Sequence, residues 1–318
     1  MLPYVLRRLS FLFFVLLALS AIVFLLLALV PGDPALAILG PYATAERLTD
    51  LRRELGVEQD PLTRYLSWLA RLLHGDLGRS FAFDRSVSEL VLERLGPTLL
   101  LAGTALGTGT ALGLGAGALA AAHRGSVDRM LTLLSLAGIS TPAFWLSLIF
   151  VLLFAVTLPW FPVSGMTAAV GAGAGSVADV VHHLVLPSGV LALVIAGIVA
   201  RLMRAQMLEA LSQDYTRVAR ARGLPEAFVR YRHAFRSAAV HMVPVIGLQA
   251  GYALGGAIYV ESVFQWPGLG RLLVEAILKR DLLLVQGGAL VLAATYVLVN
   301  LATDLVHHAL DPRTLEAR

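Results

Sequence analysis

The chain of 318 residues contains no cysteine and only one lysine. The absence of cysteine excludes disulfides, thiolate metal sites and cysteine nucleophiles. A nucleotide-binding P-loop requires Gly-Lys followed by Ser or Thr, whereas the single lysine, Lys279, lies between Leu278 and Arg280. If the protein uses ATP, another subunit must therefore bind it. The sequence also lacks H-E-x-x-H and G-x-S-x-G patterns, and we predict no catalytic, cofactor or metal site in it.

Charge is also scarce, since charged residues make up 14% of the chain and hydrophobic residues 58%. This composition excludes a soluble globular protein and indicates an all-α integral membrane protein. A membrane-spanning helix needs about 20 apolar residues. The apolar runs predict about six transmembrane helices, near residues 9–30, 97–121, 130–157, 184–203, 242–261 and 284–305. The first run follows Arg7 and Arg8 as a secretory signal would, but its apolar core exceeds the roughly 7–15 residues of such a signal.

The arginines predict the orientation of these helices, because positive residues concentrate in cytosolic loops. Arginine is frequent in the N-terminal segment, in the 122–129 and 201–241 loops and in the C-terminal tail, whereas the 158–183 loop has none. We therefore place both termini and the 201–241 loop in the cytosol. The formal net charge of +4 then reflects topology, and we predict no nucleic-acid partner.

The segment after the first span is predicted to be a folded, helical, extracytoplasmic region. Asp60 before Pro61 is typical of a helix N-terminus, and Gly75 is typical of its end. One apolar stripe of that helix would hold Leu62, Tyr65, Leu66, Leu69, Leu72 and Leu73. Ser86-Val87-Ser88-Glu89 has the form of a capping box, which predicts another helix. Such a cap would either contact a component delivered from outside or shield the helix ends.

The predicted organisation has four parts. They are the cytosolic N-terminus and first span (1–30), the extracytoplasmic segment (31–96), a five-helix transmembrane core that includes the 201–241 loop (97–309), and a cytosolic tail (310–318). Pro142 and Pro244 lie within predicted spans of this core, where each would act as a hinge or as a tolerated kink.

Three glycines on the second predicted span, Gly109, Gly113 and Gly117, form two linked G-x-x-x-G repeats. In a membrane this spacing lets two helix backbones approach closely. The repeat predicts tight packing, either within the chain or at an interface with another subunit.

The 201–241 loop contains eight arginines and three acidic residues, and a short helix is predicted inside it. Asp214 would accept the free N–H groups of the first turn as N-cap of a helix over 215–222. Gly223 would take the left-handed closing conformation, and Pro225 would block continuation. A second helical stretch would begin directly afterwards.

Two interpretations of this loop helix remain open. The arginines would anchor the loop to anionic lipid, or the helix would dock into a groove of a cytosolic partner. The capped ends and the small residues between the arginines favour docking, because lipid binding requires neither. The predicted docking face holds Tyr215, Ala219 and Arg222, with Val218 and Ala221 beside it.

Polar residues in and beside the last two spans are candidates for a translocation path. They are Gln249, Tyr252, Tyr259, Glu261 and Asn300. Ionisable groups near the membrane often mark pathways, although Glu261 at a helix end would also be stable if simply solvated. Hydrogen bonds across helices are the alternative role of the four neutral residues. The adjacent pairs His182-His183 and His307-His308 point about 100° apart on a helix, so we do not assign them to a metal.

A set of short motifs extends along the chain. The 201–241 loop contains Asp214-Tyr215-Thr216-Arg217-Val218-Ala219-Arg220-Ala221-Arg222-Gly223-Leu224 and Arg232-His233-Ala234-Phe235-Arg236. Elsewhere the motifs are Pro31-Gly32-Asp33-Pro34, Gly75-Asp76-Leu77-Gly78-Arg79-Ser80, Gly255-Gly256, Glu261, Phe264, Trp266-Pro267-Gly268-Leu269-Gly270 and Leu310-Asp311-Pro312-Arg313. In these motifs the chain resembles, over nearly its whole length, the inner-membrane permeases of oligopeptide, dipeptide and nickel importers. The Glu-Ala-Ala of the wider superfamily reads Arg217-Val218-Ala219 here, and its later Leu-Pro reads Phe235-Arg236.

The resemblance implies a type I ABC importer permease fold in a bacterial or archaeal inner membrane. It implies, as partners besides membrane lipid, a homologous second permease subunit, two cytosolic ATPase subunits and an extracytoplasmic solute-binding protein. ATP and Mg would be bound by the ATPase subunits, which would dock on the coupling helix at residues 214–224. Peptides are the substrate that it suggests, with nickel chelates or oligosaccharides as alternatives.

A stand-alone secondary transporter or channel is the competing interpretation. It would require charged residues at mid-bilayer for ion or proton coupling, and none of the six predicted spans has an Asp, Glu, Lys or Arg near its centre. A membrane receptor or assembly factor without transport is a third interpretation, which the residues alone leave open.

Overall fold

The structure is a computed structural model that describes residues 2–29, 35–36, 44–54, 60–123, 125–168 and 175–310. The motif Pro31-Gly32-Asp33-Pro34 and the tail residues after Leu310 lie outside the described residues. In chain order the elements are α1 (Leu2–Ala28), α2 (Ala45–Glu54), α3 (Pro61–Leu73), β1 (Arg79–Ser80), β2 (Arg85–Ser86), α4 (Val87–Ala122), α5 (Ser126–Ser140), α6 (Ala143–Thr157), α7 (Val177–Ser212), α8 (Asp214–Ala221), α9 (Glu226–Val263), α10 (Leu269–Leu278) and α11 (Leu282–Leu310). The predicted all-α class is confirmed, apart from the short antiparallel hairpin of β1 and β2.

Four of the described helices, α4, α7, α9 and α11, are long and apolar enough to cross a membrane. The helices α5 and α6 pass the same test only together, and they are bent by 106° at the break between them. Counting this pair as one span gives five. The first predicted span falls on α1, whose apolar part is Leu12–Leu26.

The stretch predicted as a span at 130–157 is not one continuous helix, because the chain is broken in its middle. Thr141 is extended with ψ 123°, and Pro142 is the N-cap of α6 and not a residue inside a helix. Proline disfavours the helical conformation of the residue before it and has no N–H to donate to the preceding turn. By contrast, Pro244 does lie inside a helix, α9.

The chain forms two compact units, Met1–Pro97 with Pro267–Val297 and Thr98–Trp266 with Leu298–Arg318. In the second unit α7 is the central helix, and most of the apolar stretch of this helix is buried. It packs against α5, α6 and α9 and against the part of α4 from residue 98 onward. The core of this unit is apolar and includes Leu191, Ile195, Met203, Met207 and Met242.

The glycine repeat of α4 packs within the chain, which decides between the two alternatives for it. A Cβ on Gly113 would lie 2.6 Å from Cβ of Val199 on α7, and a Cβ on Gly109 would lie 2.8 Å from the carbonyl oxygen of Ala192. A Cβ on Gly117 would overlap the carbonyl of Ala200. Glycine is therefore required at these positions because the α7 backbone occupies the space of a side chain.

In the first unit, the N-cap and the stop predicted for α3 are confirmed. The Asp60 carboxylate accepts the N–H groups of Leu62 and Thr63, and Gly75 has φ +78°. The predicted apolar stripe is only partly correct, because Leu62, Leu66 and Leu73 are exposed. The buried face instead centres on Trp68 and Tyr65, and Tyr65 contacts Ser20 of α1 through their hydroxyls at 2.8 Å. Leu69 and Leu72 of the predicted stripe are partly buried beside these aromatic side chains.

The start of α4 and the start of α11 are held by loop residues of the same unit. The predicted helix opens at Val87, whose N–H donates to the Gly78 carbonyl at 2.9 Å, and the Ser88 hydroxyl donates to the Gly75 carbonyl. The buried Asp281 carboxylate accepts from the Ser80 hydroxyl at 2.5 Å and from the Leu284 N–H at 3.1 Å. The predicted Gly75–Ser80 motif thus bridges two helix N-termini.

Candidate coupling site in the 201–241 loop

The loop helix exists, but its first residue differs from the prediction. The helix α8 begins at Asp214, and its N-cap is Gln213, which has extended backbone (φ −70°, ψ 154°). The prediction of Asp214 as N-cap is therefore wrong. The Asp214 carboxylate is exposed and contacts the Arg217 guanidinium at 3.4 Å, one turn further along the same helix.

The end of α8 agrees with the prediction. Gly223 has φ +79°, its N–H donates to the Arg220 carbonyl at 2.9 Å, and the Leu224 N–H donates to the Ala219 carbonyl at 3.3 Å. This pair of bonds defines a Schellman motif, which satisfies carbonyls that the last helical turn leaves free. Pro225 is the N-cap of α9, so the predicted second helical stretch begins at Glu226.

One side of α8 packs against the chain and the opposite side is exposed. Thr216 and Ala219 are buried, and the Thr216 hydroxyl donates to the carbonyls of Leu211 and Gln213 at 2.9 and 2.7 Å. Ala219 therefore does not lie on an outward docking face, and that prediction is wrong. The exposed side, called the α8 crest below, consists of Asp214, Arg217, Val218 and Ala221, with Tyr215, Arg220 and Arg222 at its flanks.

Apolar side chains are exposed on and beside the crest. Val218 is 50% and Tyr215 43% exposed, and Leu224, Phe228 and Tyr231 are also exposed. Large apolar groups exposed on a basic loop are typical of an interaction surface.

A chain of ion pairs joins α8 to α9 and to the end of α4. The Arg220 guanidinium donates to both oxygens of Glu226, at 3.0 and 3.1 Å. The Arg230 Nε donates to Oε1 of Glu226 at 3.1 Å, and its Nη1 donates to the Ala122 carbonyl at 3.0 Å. Two arginines thus share the one carboxylate of Glu226.

A second ion pair lies near this loop, between α5 and α7. The Arg204 guanidinium donates to both carboxylate oxygens of Asp128, at 2.6 Å each. This two-point geometry is the strongest form of an arginine–carboxylate contact. None of these three ion pairs was predicted from the sequence. Only Glu226 and Arg230, four residues apart on one helix, gave a signal that could have been found.

The five residues proposed for a translocation path do not form one lining. Along α9, at about 100° per residue, Tyr252 and Tyr259 share a face, whereas Glu261 points to the opposite side. Tyr252 and Tyr259 are exposed, whereas Gln249 is buried. The Asn300 side chain on α11 is half-buried.

Glu261 is fully buried, so the alternative of a solvated carboxylate at a helix end is wrong. Its Oε1 accepts a hydrogen bond from the Thr98 hydroxyl at 2.6 Å, and Thr98 is also fully buried. The Glu261 carbonyl accepts from the Trp266 N–H at 2.9 Å. In this structure Glu261 therefore joins α4 to the end of α9 inside the second unit.

The histidines at the start of α7 are held by neighbouring protein groups. His182 Nε2 lies 3.0 Å from the Trp160 carbonyl, and His183 Nδ1 lies 2.9 Å from the Asp179 carbonyl. Within the described residues, no group of three or more His, Asp or Glu side chains is placed to hold a metal ion.

Comparison with protein families gives two matches that together cover most of the chain. Residues 112–316 match the binding-protein-dependent transport system inner membrane component, and residues 1–102 match the N-terminal domain of the membrane component of such systems. The chain belongs to this family. It is therefore the permease component of an ABC importer and not its ATPase, and it is a multi-pass protein of the inner membrane. A permease of this kind works with an ATPase and a solute-binding protein.

Similar proteins extend over almost the whole chain. A protein of Brucella suis biovar 1 (strain 1330) named as a peptide permease is 41% identical over 317 residues, which cover 98% of this chain and 99% of the relative. The glutathione transport system permease protein GsiC of Salmonella typhimurium is 39% identical over 313 residues, 98% of each chain.

A solved structure has a similar fold at low sequence identity. The methionine ABC transporter MetNI, in an inward-facing conformation, matches with a TM-score of 0.55 and 16% identity. The match covers 70% of this chain and 96% of that chain. This likeness concerns the fold alone, and it confirms the predicted type I importer permease fold.

Proposed function

We propose that this permease imports peptides and is driven by ATPase subunits that bind the α8 crest from the cytosol. The observation that supports this most directly is how α8 is held. Thr216 and Ala219 fix its inner side, the turn at Gly223 fixes its end, and the crest is exposed. A helix that is anchored at its base and exposed at its top can transfer the movement of a bound partner into α7 and α9, which flank it in the chain.

The charges of the loop favour docking over simple lipid anchoring. Arg220 and Arg230 share the carboxylate of Glu226, and Arg217 contacts Asp214. Arginines paired in this way are less available to anionic lipid headgroups. The exposed side chains of Val218 and Tyr215 instead offer apolar contact area of the kind that protein interfaces use.

In the proposed assembly, this chain pairs with a homologous second permease subunit and two ATPase subunits, with a solute-binding protein on the outer side. ATP would close the ATPase pair, the crest would follow, and the cavity between the permeases would open outward. ATP can shift this equilibrium only by its differential affinity for the two states, so a mechanical contact between ATPase and permease is required.

Peptide cargo is supported by relatives that are named for it. The Brucella relatives are named as peptide permeases, and the Salmonella relative is named for glutathione, which is itself a tripeptide. A competition assay tests the cargo: unlabelled dipeptides and glutathione should reduce uptake of a labelled dipeptide by the whole complex. Uptake that responds only to nickel chelates or oligosaccharides would contradict it.

The docking role is tested by one substitution with a matched control. Ala221→Asp places a charged side chain on the crest, and Ala205→Asp makes the same change at an exposed position of α7 in the same loop. We expect Ala221→Asp to reduce co-purification of the ATPase subunits and uptake at least tenfold, whereas Ala205→Asp leaves both near the wild-type level. Full ATPase binding by Ala221→Asp would contradict docking on the crest.

The orientation belongs to the same proposal. We propose that both termini and the 201–241 loop are cytosolic, and that residues 31–96 form a helical extracytoplasmic segment ahead of the five-helix core at 97–309. Labelling of single cysteines introduced at residues 75 and 226 tests this, because the chain has no native cysteine. An impermeant reagent applied outside should label residue 75 and not residue 226. Labelling of both would overturn the arrangement.

A further inference from the structure

We propose that Glu226 and Arg230 are positioning residues that tie the coupling helix α8 to the cytosolic end of α4. The inference rests on the proposed docking of ATPase subunits on α8. It assigns a role to side chains that lie outside the crest and that a docked partner would not need to touch.

Of the described helices around α8, only α4 lacks a short backbone connection to it. The helix α8 is joined to α7 through the single residue Gln213 and to α9 through the short turn at residues 222–225. A movement of α8 therefore reaches α7 and α9 directly through the backbone. The helix α4 ends at Ala122, 108 residues before Arg230, so no short backbone connection joins this end to α8. Its packed contact with α7, at the three glycines of its repeat, lies further back along the helix.

Side chains supply this missing connection. The Arg220 guanidinium of α8 binds both oxygens of Glu226, and Glu226 binds Arg230 at 3.1 Å. Arg230 then donates to the Ala122 carbonyl at 3.0 Å. The path from the flank of the crest to the end of α4 thus consists of charge-assisted hydrogen bonds only.

The contact at Ala122 suits an arginine for two reasons. The last carbonyls of a helix have no partner within the helix, and the C-terminal end of a helix carries partial negative charge. Arg230 supplies both a donor and a positive charge there. Because Gly109, Gly113 and Gly117 hold α4 in direct contact with α7, α4 moves as a packed element and not as a free end.

A purely structural role fits these residues less well. The Arg220, Glu226 and Arg230 side chains are 39%, 43% and 33% exposed, and exposed ion pairs contribute little to stability. Two arginines that bind one carboxylate do, however, fix the orientation of the side chains relative to one another, because the planar guanidinium allows only a narrow range of hydrogen-bond angles. Their removal should therefore leave the fold intact and loosen the connection between α8 and α4.

The first test measures coupling in the complete transporter. In proteoliposomes with the ATPase and solute-binding subunits, Arg230→Gln should retain bound ATPase, while the ATP hydrolysed per labelled dipeptide imported rises at least fivefold. Arg230→Lys keeps the charge but loses the planar guanidinium, so its ratio of ATP hydrolysed to dipeptide imported should lie between those of the wild type and Arg230→Gln. Arg232→Gln, the same change at an exposed position two residues away, should match the wild type.

The second test uses an isosteric substitution and adds a distance measurement that does not depend on the cargo. Glu226→Gln keeps the shape of the side chain and should raise the ratio of ATP hydrolysed to dipeptide imported, as Arg230→Gln does. Spin labels on cysteines introduced at His123 and Gln213 report the separation of the α4 end from the start of α8. We expect one narrow distance population in the wild-type complex and a broadened one in Arg230→Gln.

The outcomes separate this inference from the docking proposal. An unchanged ATP-to-dipeptide ratio and an unchanged distance distribution in assembled Arg230→Gln and Glu226→Gln complexes would overturn the positioning role. Loss of bound ATPase in these variants would also overturn it, since the residues would then belong to the docking surface. The docking proposal itself is tested separately, by the binding of ATPase subunits to the Ala221→Asp variant.

Discussion

Two regions of the molecule hold helices together by opposite means: the contact between α4 and α7, and the 201–241 loop. In the first, three glycines bring backbones together and no polar side chain is needed. In the second, arginine side chains span the gaps between helices, and their partners are a carboxylate and a helix-end carbonyl. Glycine contacts tolerate no added atom, whereas ion pairs at an exposed site tolerate movement. The difference indicates a rigid pair of helices attached to an adjustable joint.

The largest effect is expected from a substitution in the contact between α4 and α7. Gly113→Leu should prevent the close approach of α4 and α7, because even a Cβ would lie 2.6 Å from Cβ of Val199. Overpacking of this kind costs about 1–3 kcal/mol or more. We expect loss of monodisperse protein in detergent or a fall of at least 5 °C in Tm. Gly115→Leu, where no atom lies within 4 Å, is the control, and equal losses in both variants would contradict the packing described here.

A second experiment makes the same substitution in the buried core and in the loop. Glu261→Leu removes the buried hydrogen bond that the Thr98 hydroxyl donates to this side chain at 2.6 Å, and it should cost about 1–3 kcal/mol. Glu226→Leu removes exposed ion pairs only and should cost at most about 1 kcal/mol. Thermal unfolding of both purified variants measures the contrast. A larger loss for Glu226→Leu would show that the loop is part of the rigid core.

The smallest effect is expected from a comparison of two aspartates, Asp60 and Asp214, that were both predicted to be helix N-caps. Asp60 accepts two backbone N–H groups at the start of α3, and Asp60→Ala should cost about 0.5–2 kcal/mol of local stability. Asp214 makes only an exposed ion pair with Arg217, so Asp214→Ala should cost less than about 0.5 kcal/mol. Hydrogen exchange of the first turn of each helix measures this. Faster exchange in Asp214→Ala than in Asp60→Ala would restore Asp214 as the N-cap.

The sequence predicted the features that local chemistry determines. The stop at Gly223, the N-cap at Asp60 and the restart of the helix at Glu226 follow from backbone preferences of single residues, and each was correct. The glycine repeat correctly predicted close packing, but the pattern alone gave no way to choose between the chain's own α7 and another subunit.

Other features depended on contacts between residues distant in the chain. The burial of Ala219 and Glu261 reflects what packs against them, and the helical pattern of α8 or α9 holds no record of that. The break at Pro142 was treated as an internal kink, because an uninterrupted apolar run gives no sign of a 106° bend. The contact of Arg230 with Ala122 joins residues 108 positions apart, and no spacing rule reaches that far.

Photo-crosslinking from two adjacent positions of α8 tests the central claim most directly. A photoreactive amino acid at Val218 on the exposed crest should crosslink to an ATPase subunit in the assembled complex, whereas the same residue at the buried Ala219 should crosslink within the permease. Crosslinks from position 218 to lipid alone, in membranes that hold the complete complex, would contradict the account.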